Sequence, residues 1–120
     1  TFDIDVCAPP GGVEWVPAAA YYSVEDDGLA QQWKGRVWMN PPYSKPAPWV
    51  QRFIAHRNGI CLVPCSNGRW FHELWERADG LCLPAPNALK FVGGGIPIRT
   101  MLAAFGEECT TAIGRFGSLR

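Results

Sequence analysis

The sequence contains no uninterrupted apolar run longer than a few residues, so nothing in it is built to span a bilayer. No basic-then-apolar signal segment opens it, and Thr1-Phe2 reads as a cut or processed terminus. There is no excess of charge of either sign: Lys plus Arg number 11, as do Asp plus Glu. That balance argues against a protein that grips nucleic acid by bulk charge alone, and leaves room only for a local basic patch. Internal repeats, low-complexity tracts and a dividing linker are also missing. What is present is 120 residues, 48% hydrophobic, with 13 Gly, 11 Pro and six Trp. This suits one compact α/β or β-rich domain over residues 1–120, able to bury roughly two-thirds of its unfolded surface. It excludes an intrinsically disordered chain.

Five cysteines stand at 7, 61, 65, 82 and 109. The number is odd and several lie inside apolar stretches, which fits buried reduced thiols in a cytosolic protein. A zinc site from Cys61, Cys65 and His72 is the sharper alternative, but a second Cys/His pair is lacking and no metal is assigned.

Phe2 to Val6 alternates apolar and acidic residues and then enters Cys7-Ala8-Pro9-Pro10-Gly11-Gly12, the pattern of a strand closed by a Gly/Pro turn. Residues 14–27 have no sustained period and read as loop with room for a short strand or helical turn. Val37-Trp38-Met39 is a buried strand that must stop at Pro41-Pro42, since proline cannot donate to a ladder. Ser44 to Arg57 reads as a helix with Pro48 in its first turn and Asn58-Gly59 as its stop. Ile60 to Val63 is a second buried strand. Ser66 or Asn67 is expected to cap a helix carrying Trp70, Phe71, Leu74 and Trp75, which ends near Gly80. Leu81 to Leu83 and Thr100 to Phe105 are further strands, and residues 107–116 lean to helix. The order predicts an α/β fold with a mostly parallel sheet and helices on both faces. In such sheets ligands bind beyond the carboxyl ends of the strands. Those ends carry Asp5 to Ala8, Asn40 to Tyr43 and Pro64 to Asn67.

Asn40-Pro41-Pro42-Tyr43 is the most specific signal, because it follows an apolar strand and precedes a helix. It resembles the Asn/Asp-Pro-Pro-Tyr motif of S-adenosylmethionine-dependent amino-group methyltransferases. The residue types suit that chemistry. An exocyclic amine on adenine is a poor nucleophile, because its lone pair is delocalised into the ring. Two acceptors aimed at its hydrogens, the Asn40 carboxamide oxygen and the Pro41 carbonyl, favour a more tetrahedral nitrogen that can attack a methyl in line. Paired prolines hold that carbonyl rigidly, and Tyr43 offers a face for a flipped base. No covalent enzyme nucleophile is required. The simpler reading is a turn that ends a strand.

The wider pattern narrows the choice. Phe2-Asp3-Ile4-Asp5-Val6-Cys7-Ala8, then Tyr21-Tyr22, Glu25-Asp26-Asp27-Gly28-Leu29, Trp33 and Val37 to Ser44 occur in a distinctive order and spacing. With Leu62-Val63-Pro64, Trp70-Phe71-His72 and Leu89-Lys90-Phe91, the chain is similar to the phage-type DNA N-6-adenine methyltransferase family over nearly its whole length.

The resemblance implies a minimal Rossmann-like methyltransferase fold, S-adenosylmethionine as methyl donor and adenine in DNA as acceptor. It also implies roles. Asp5 with Cys7 and Ala8 meets the methionine portion of the cofactor, Asp27 lies near its adenosine, and Asn40, Pro41, Pro42 and Tyr43 serve the target base. Lys45, Arg69 and Lys90 are the candidates for DNA contact. The implied partner is double-stranded DNA with a flipped adenine. Pairing of two copies is one way for so small an enzyme to embrace a duplex. The implied setting is the cytoplasm of a bacterial host, for a phage- or prophage-encoded protein. Two departures stand out. Family members usually continue upstream with a Thr-Pro-containing segment, and Asn87-Ala88 stand where a Gly-Arg pair is common. Alternatives are a remnant that binds DNA or cofactor without catalysis, and a methyltransferase acting on RNA or on protein amide nitrogens.

Overall fold

Apolar runs closed by Pro or Gly become the strands, and stretches with apolar residues three and four apart become the helices. The computed structural model describes residues 1–13, 15–84 and 99–119. In chain order these form β1 (Ile4–Asp5), β2 (Val37–Met39), α1 (Ala47–His56), β3 (Gly59–Pro64), α2 (Arg69–Arg77), β4 (Gly80–Pro84), β5 (Thr100–Phe105), α3 (Glu107–Ile113) and β6 (Gly117–Leu119).

The strands make one six-stranded sheet in the order β1-β2-β3-β5-β4-β6. β1, β2 and β3 are parallel neighbours, but β5 runs antiparallel to both β3 and β4, and β6 runs antiparallel to β4. The sheet is therefore mixed, which corrects the mostly parallel sheet expected from the sequence. A continuously apolar run such as Met101–Phe105 specifies a strand buried on both faces and carries no information on direction. Direction comes from the connection: β4 ends at Pro84 on the edge where β5 begins at Thr100, so the chain runs back down between β3 and β4.

Strand alternation feeds two cores. Val37, Met39, Cys61, Val63, Met101, Ala103 and Phe105 pack with Val50, Phe53 and Ile54 of α1 and Leu74 of α2. Trp38, Ile60, Leu62, Leu102 and Ala104 pack on the other face with Cys109 and Ile113 of α3. Helices thus cover both faces, as expected.

Several local expectations shift. β1 is shorter than Phe2–Val6, because Phe2 leaves the ladder to bridge Ala18. Part of the segment 14–27, expected as loop with a short strand or helical turn, runs beside it in strand-like pairing: Asp5 N–H donates to Ala20 O at 3.0 Å and Tyr22 N–H to Asp5 O at 2.8 Å, covering an edge that is otherwise open to pairing. α1 spans Ala47–His56 rather than Ser44–Arg57, and its C-cap Arg57 itself takes the left-handed conformation (φ 60), one residue before the expected Asn58-Gly59 stop. α2 starts from Gly68 with no side-chain cap; Ser66 Oγ instead accepts from Gly68 N–H at 2.9 Å and orders the turn before the helix. α3 is confirmed but ends at Ile113, and β6 follows it.

Candidate active site

β4 is antiparallel to β5 and so points with β1, β2 and β3; all four open their carboxyl ends on one edge of the sheet. That edge carries Asp5 to Ala8, Asn40 to Tyr43 and Pro64 to Asn67, the three segments singled out from the sequence.

Asp5 is 2% exposed, an acid held at a strand end among apolar neighbours. Its Oδ1 accepts from Cys7 N–H at 3.2 Å. Burial pushes its carboxyl up to about 6, and the Cys7 hydrogen bond pulls it partly back. The Cys7 thiol is pushed up to about 11, first by burial and then by the Asp5 charge, so it stays protonated near neutral pH. Ala8 is buried and donates its N–H to Tyr22 O at 2.8 Å. Asp5 lines a pocket of about 290 Å³ with Gly11, Gly12, Val16, Ala18 and Tyr21. Gly11 and Gly12 both have positive φ, 87 and 77, and a β-carbon on Gly12 would lie 3.2 Å from the Tyr21 ring. The glycine pair is there because the turn needs left-handed backbone and close approach to an aromatic face.

The acidic loop meets the same strand end. Asp26, rather than Asp27, organises it: its Oδ2 accepts from Ser23 N–H at 2.8 Å and from Ser23 Oγ at 3.3 Å. Asp27 is exposed and left-handed (φ 53). Gly28, next in line, is buried against the main-chain oxygen of Val6.

Asn40 follows β2 and is half-buried; Pro41 is buried and Pro42 exposed. Tyr43 is half-buried, and its hydroxyl is buried with no hydrogen-bond partner among the described residues. Burial pushes that phenol up to about 12, so it stays protonated. Lys45 is exposed in the turn that follows, its N–H donating to Pro42 O at 3.2 Å. Arg69 is exposed at the first position of α2. Lys90, with the Leu89-Lys90-Phe91 element and Asn87-Ala88, lies outside the described residues. Cys61 is buried in the core, whereas Cys65 and His72 are exposed. Among the described residues no group of three or more His, Cys, Asp or Glu is arranged to hold a metal ion, and no helix is long and apolar enough to cross a membrane.

Arg99 is a further basic residue at this edge, exposed, with its carbonyl accepting from Cys65 N–H at 2.8 Å. It is not found from the sequence, because a parallel β5 puts its first residue at the opposite edge. Only the antiparallel direction brings it here.

These features define an α/β protein whose Asn-Pro-Pro-Tyr loop sits beside a buried acid at the carboxyl ends of co-directional strands. A family model described as DNA N-6-adenine-methyltransferase (Dam) matches residues 1–101, and the chain belongs to that family. It is 34% identical over 98 residues to the DNA N-6-adenine-methyltransferase of Haemophilus phage HP1, covering 76% of this chain and 55% of that protein. It is 38% identical over 65 residues to the DNA N-6-adenine-methyltransferase of Escherichia phage T1, covering 48% of this chain and 27% of that protein. The chain thus spans about half the length of the first relative and about a quarter of the second. No solved structure matches it.

Proposed function

We propose that this chain transfers a methyl group from S-adenosylmethionine to the exocyclic 6-amino group of adenine in DNA. The observation that carries the reading is the Asn40-Pro41-Pro42-Tyr43 loop at the end of β2, on the sheet edge where the neighbouring β1 delivers the buried Asp5, in a chain matched by the family over residues 1–101. We read the sheet as a minimal Rossmann-like methyltransferase fold, supported by four co-directional strands with α1 and α2 crossing between β2, β3 and β4.

The residues present fit the cofactor. Among the described residues no cationic side chain pairs with the buried Asp5 carboxylate, and desolvation holds its pKa high. A positively charged ligand in the pocket it lines would favour its charged form. The side-chain-free wall at Gly11 and Gly12 leaves room for such a ligand. Asp5, Cys7 and Ala8 would hold the methionine end, and Asp27 the adenosine end. When bound, S-adenosylmethionine supplies a methyl group made electrophilic by its sulfonium.

The chain's own residues do the rest. The Asn40 carboxamide oxygen and the Pro41 carbonyl accept the two hydrogens of the target amine and bring its lone pair out of conjugation. The proline pair fixes the Pro41 carbonyl, so no reorganisation is needed when the nitrogen reacts. Tyr43 stacks on the base, which must leave the duplex at a cost of a few kcal/mol to reach this edge. Lys45 and Arg69, with Arg99, take phosphate contacts from the same side.

Replacing Asn40 tests the assignment. Asn40→Ala is expected to slow methyl transfer by about 100-fold or more, the scale of removing one preorganised transition-state partner. Calorimetric titration should find cofactor affinity largely intact. A variant that methylates DNA at the parent rate overturns the role of Asn40. A parent protein that binds no S-adenosylmethionine at millimolar concentration overturns the reading as a whole.

A further inference from the structure

One stripe of α1 is spent entirely on the segment 28–35. Trp49, Arg52 and His56 are three and four residues apart and so share a helix face. Trp49 stacks on Trp33 with ring centroids 6.3 Å apart, and its ring also abuts Gly28. Arg52 donates through one terminal nitrogen to Leu29 O and through the other to Gln31 O. The same guanidinium lies over the Trp33 ring, 4.9 Å from its centroid. Trp33 in turn donates its indole N–H to Gly28 O at 2.9 Å. His56 closes the row, meeting Gly35 O at 2.6 Å and the Trp33 ring edge-on.

The loop held in this way is strained and tightly seated. Asp27 is one of two residues other than glycine with positive φ among the described residues, and Gly28 is pressed on the Val6 carbonyl at the end of β1. Left to itself, a short exposed acidic segment with a left-handed residue samples many conformations. The guanidinium of Arg52 removes that freedom by taking two carbonyls in a planar fork, which a lysine cannot reproduce. Because only the turn Ser44 to Pro46 separates Asn40-Pro41-Pro42-Tyr43 from α1, the helix that leads out of the proposed base-binding loop also fixes the loop that carries Asp27.

We propose that Arg52, acting with Trp33, is a positioning residue for the cofactor: it holds the Asp26–Leu29 turn in the conformation that accepts S-adenosylmethionine. This rests on the methyltransferase reading above and adds to it a residue that touches neither cofactor nor base. A ligand whose site is competent only part of the time binds more weakly in proportion, so a loop ordered a tenth of the time costs about tenfold in affinity.

The test is steady-state methyl transfer with Arg52→Ala and Arg52→Lys, alongside calorimetry with S-adenosylmethionine and hydrogen exchange across residues 26–32. Arg52→Ala is expected to raise KM and Kd for S-adenosylmethionine about tenfold while kcat at saturating cofactor stays within about twofold. DNA affinity stays unchanged, exchange in 26–32 speeds up, and Arg52→Lys recovers part of the loss. Parent-like cofactor affinity and exchange in Arg52→Ala overturns the proposal. So does a matching fall in kcat and in DNA affinity with early melting, which would make Arg52 a residue of the fold at large. A parent protein that binds no cofactor overturns the methyltransferase reading, and this inference with it. A parent that binds cofactor beside an unaffected Arg52→Ala overturns this inference alone.

Discussion

Gly28 lies flat on the main-chain oxygen of Val6: a β-carbon at residue 28 would stand 2.1 Å from that oxygen and 3.0 Å from the Trp49 ring. The contact joins the acidic loop to the end of β1, and behind it stands the face of α1. Neither the strand end nor the helix can give way without disturbing the core on that face, which includes Val6 and Phe53. Gly28→Ala is therefore expected to destabilise the protein by about 3 kcal/mol, the scale of overpacking against fixed backbone. Denaturant melts check this. A variant as stable as the parent contradicts the close seating of the loop.

Asp5 is a stability liability held at the pocket. Its folded pKa of about 6 stands above the ordinary value of 3.8, so over that window the folded state binds the proton more tightly than the unfolded chain. Stability therefore falls as pH rises through this window and stays lower above it. Asp5→Asn should flatten the profile and raise stability near neutral pH by about 2 kcal/mol, while weakening cofactor binding. Urea melts below and above the window read this directly. An equal pH slope in parent and variant contradicts the buried, unpaired carboxylate.

The Tyr43 hydroxyl is buried without a partner among the described residues, while the ring is the part assigned to the base. Tyr43→Phe is expected to keep methyl transfer within about threefold and to gain about 1 kcal/mol of stability by removing an unsatisfied group. Tyr43→Ala removes the stacking face and should slow transfer by about tenfold or more. Activity measured beside thermal melts separates the two variants. Loss of activity in Tyr43→Phe would mean that the hydroxyl, not the face, serves the site.

On the proposed function, a chain with net charge zero has few residues with which to grip DNA. Lys45, Arg69 and Arg99 are all exposed on the edge that carries Asn40. Replacing each by Gln should lower the salt dependence of DNA binding by about one unit of slope per residue, with little effect on cofactor affinity. Binding titrations over a range of salt check this, and an unchanged slope removes that residue from the DNA face.

How much of this was legible in the sequence depends on what each segment encodes. Val37–Met39 and Ile60–Val63 announced themselves because prolines close them, and α1 because Pro48 opens it and its apolar spacing is helical. The Asn40–Tyr43 loop followed from its place between the two. The direction of β5 was not legible, since a strand apolar on both faces reads the same either way; Arg99 was lost with it. β6 escaped because Gly117-Ser118-Leu119 is exposed at an edge and shows no apolar pattern. Apolar spacing can place an indole in a core but cannot report its N–H: Trp33 is buried and also donates a hydrogen bond to the acidic loop, whereas Trp75 is 38% exposed. The Arg52 fork rests on main-chain carbonyls, which no side-chain motif reports.

Methyl transfer to the 6-amino group of adenine is the activity proposed for this chain. Its most direct measurement is incubation of unmethylated double-stranded DNA with labelled S-adenosylmethionine and the protein, followed by digestion to nucleosides and separation of the methylated products. The label is expected in N6-methyldeoxyadenosine, with Asn40→Ala lowering its rate of incorporation by about 100-fold or more. Label in methylcytosine, in protein or RNA alone, or in no product while the cofactor is bound would contradict it.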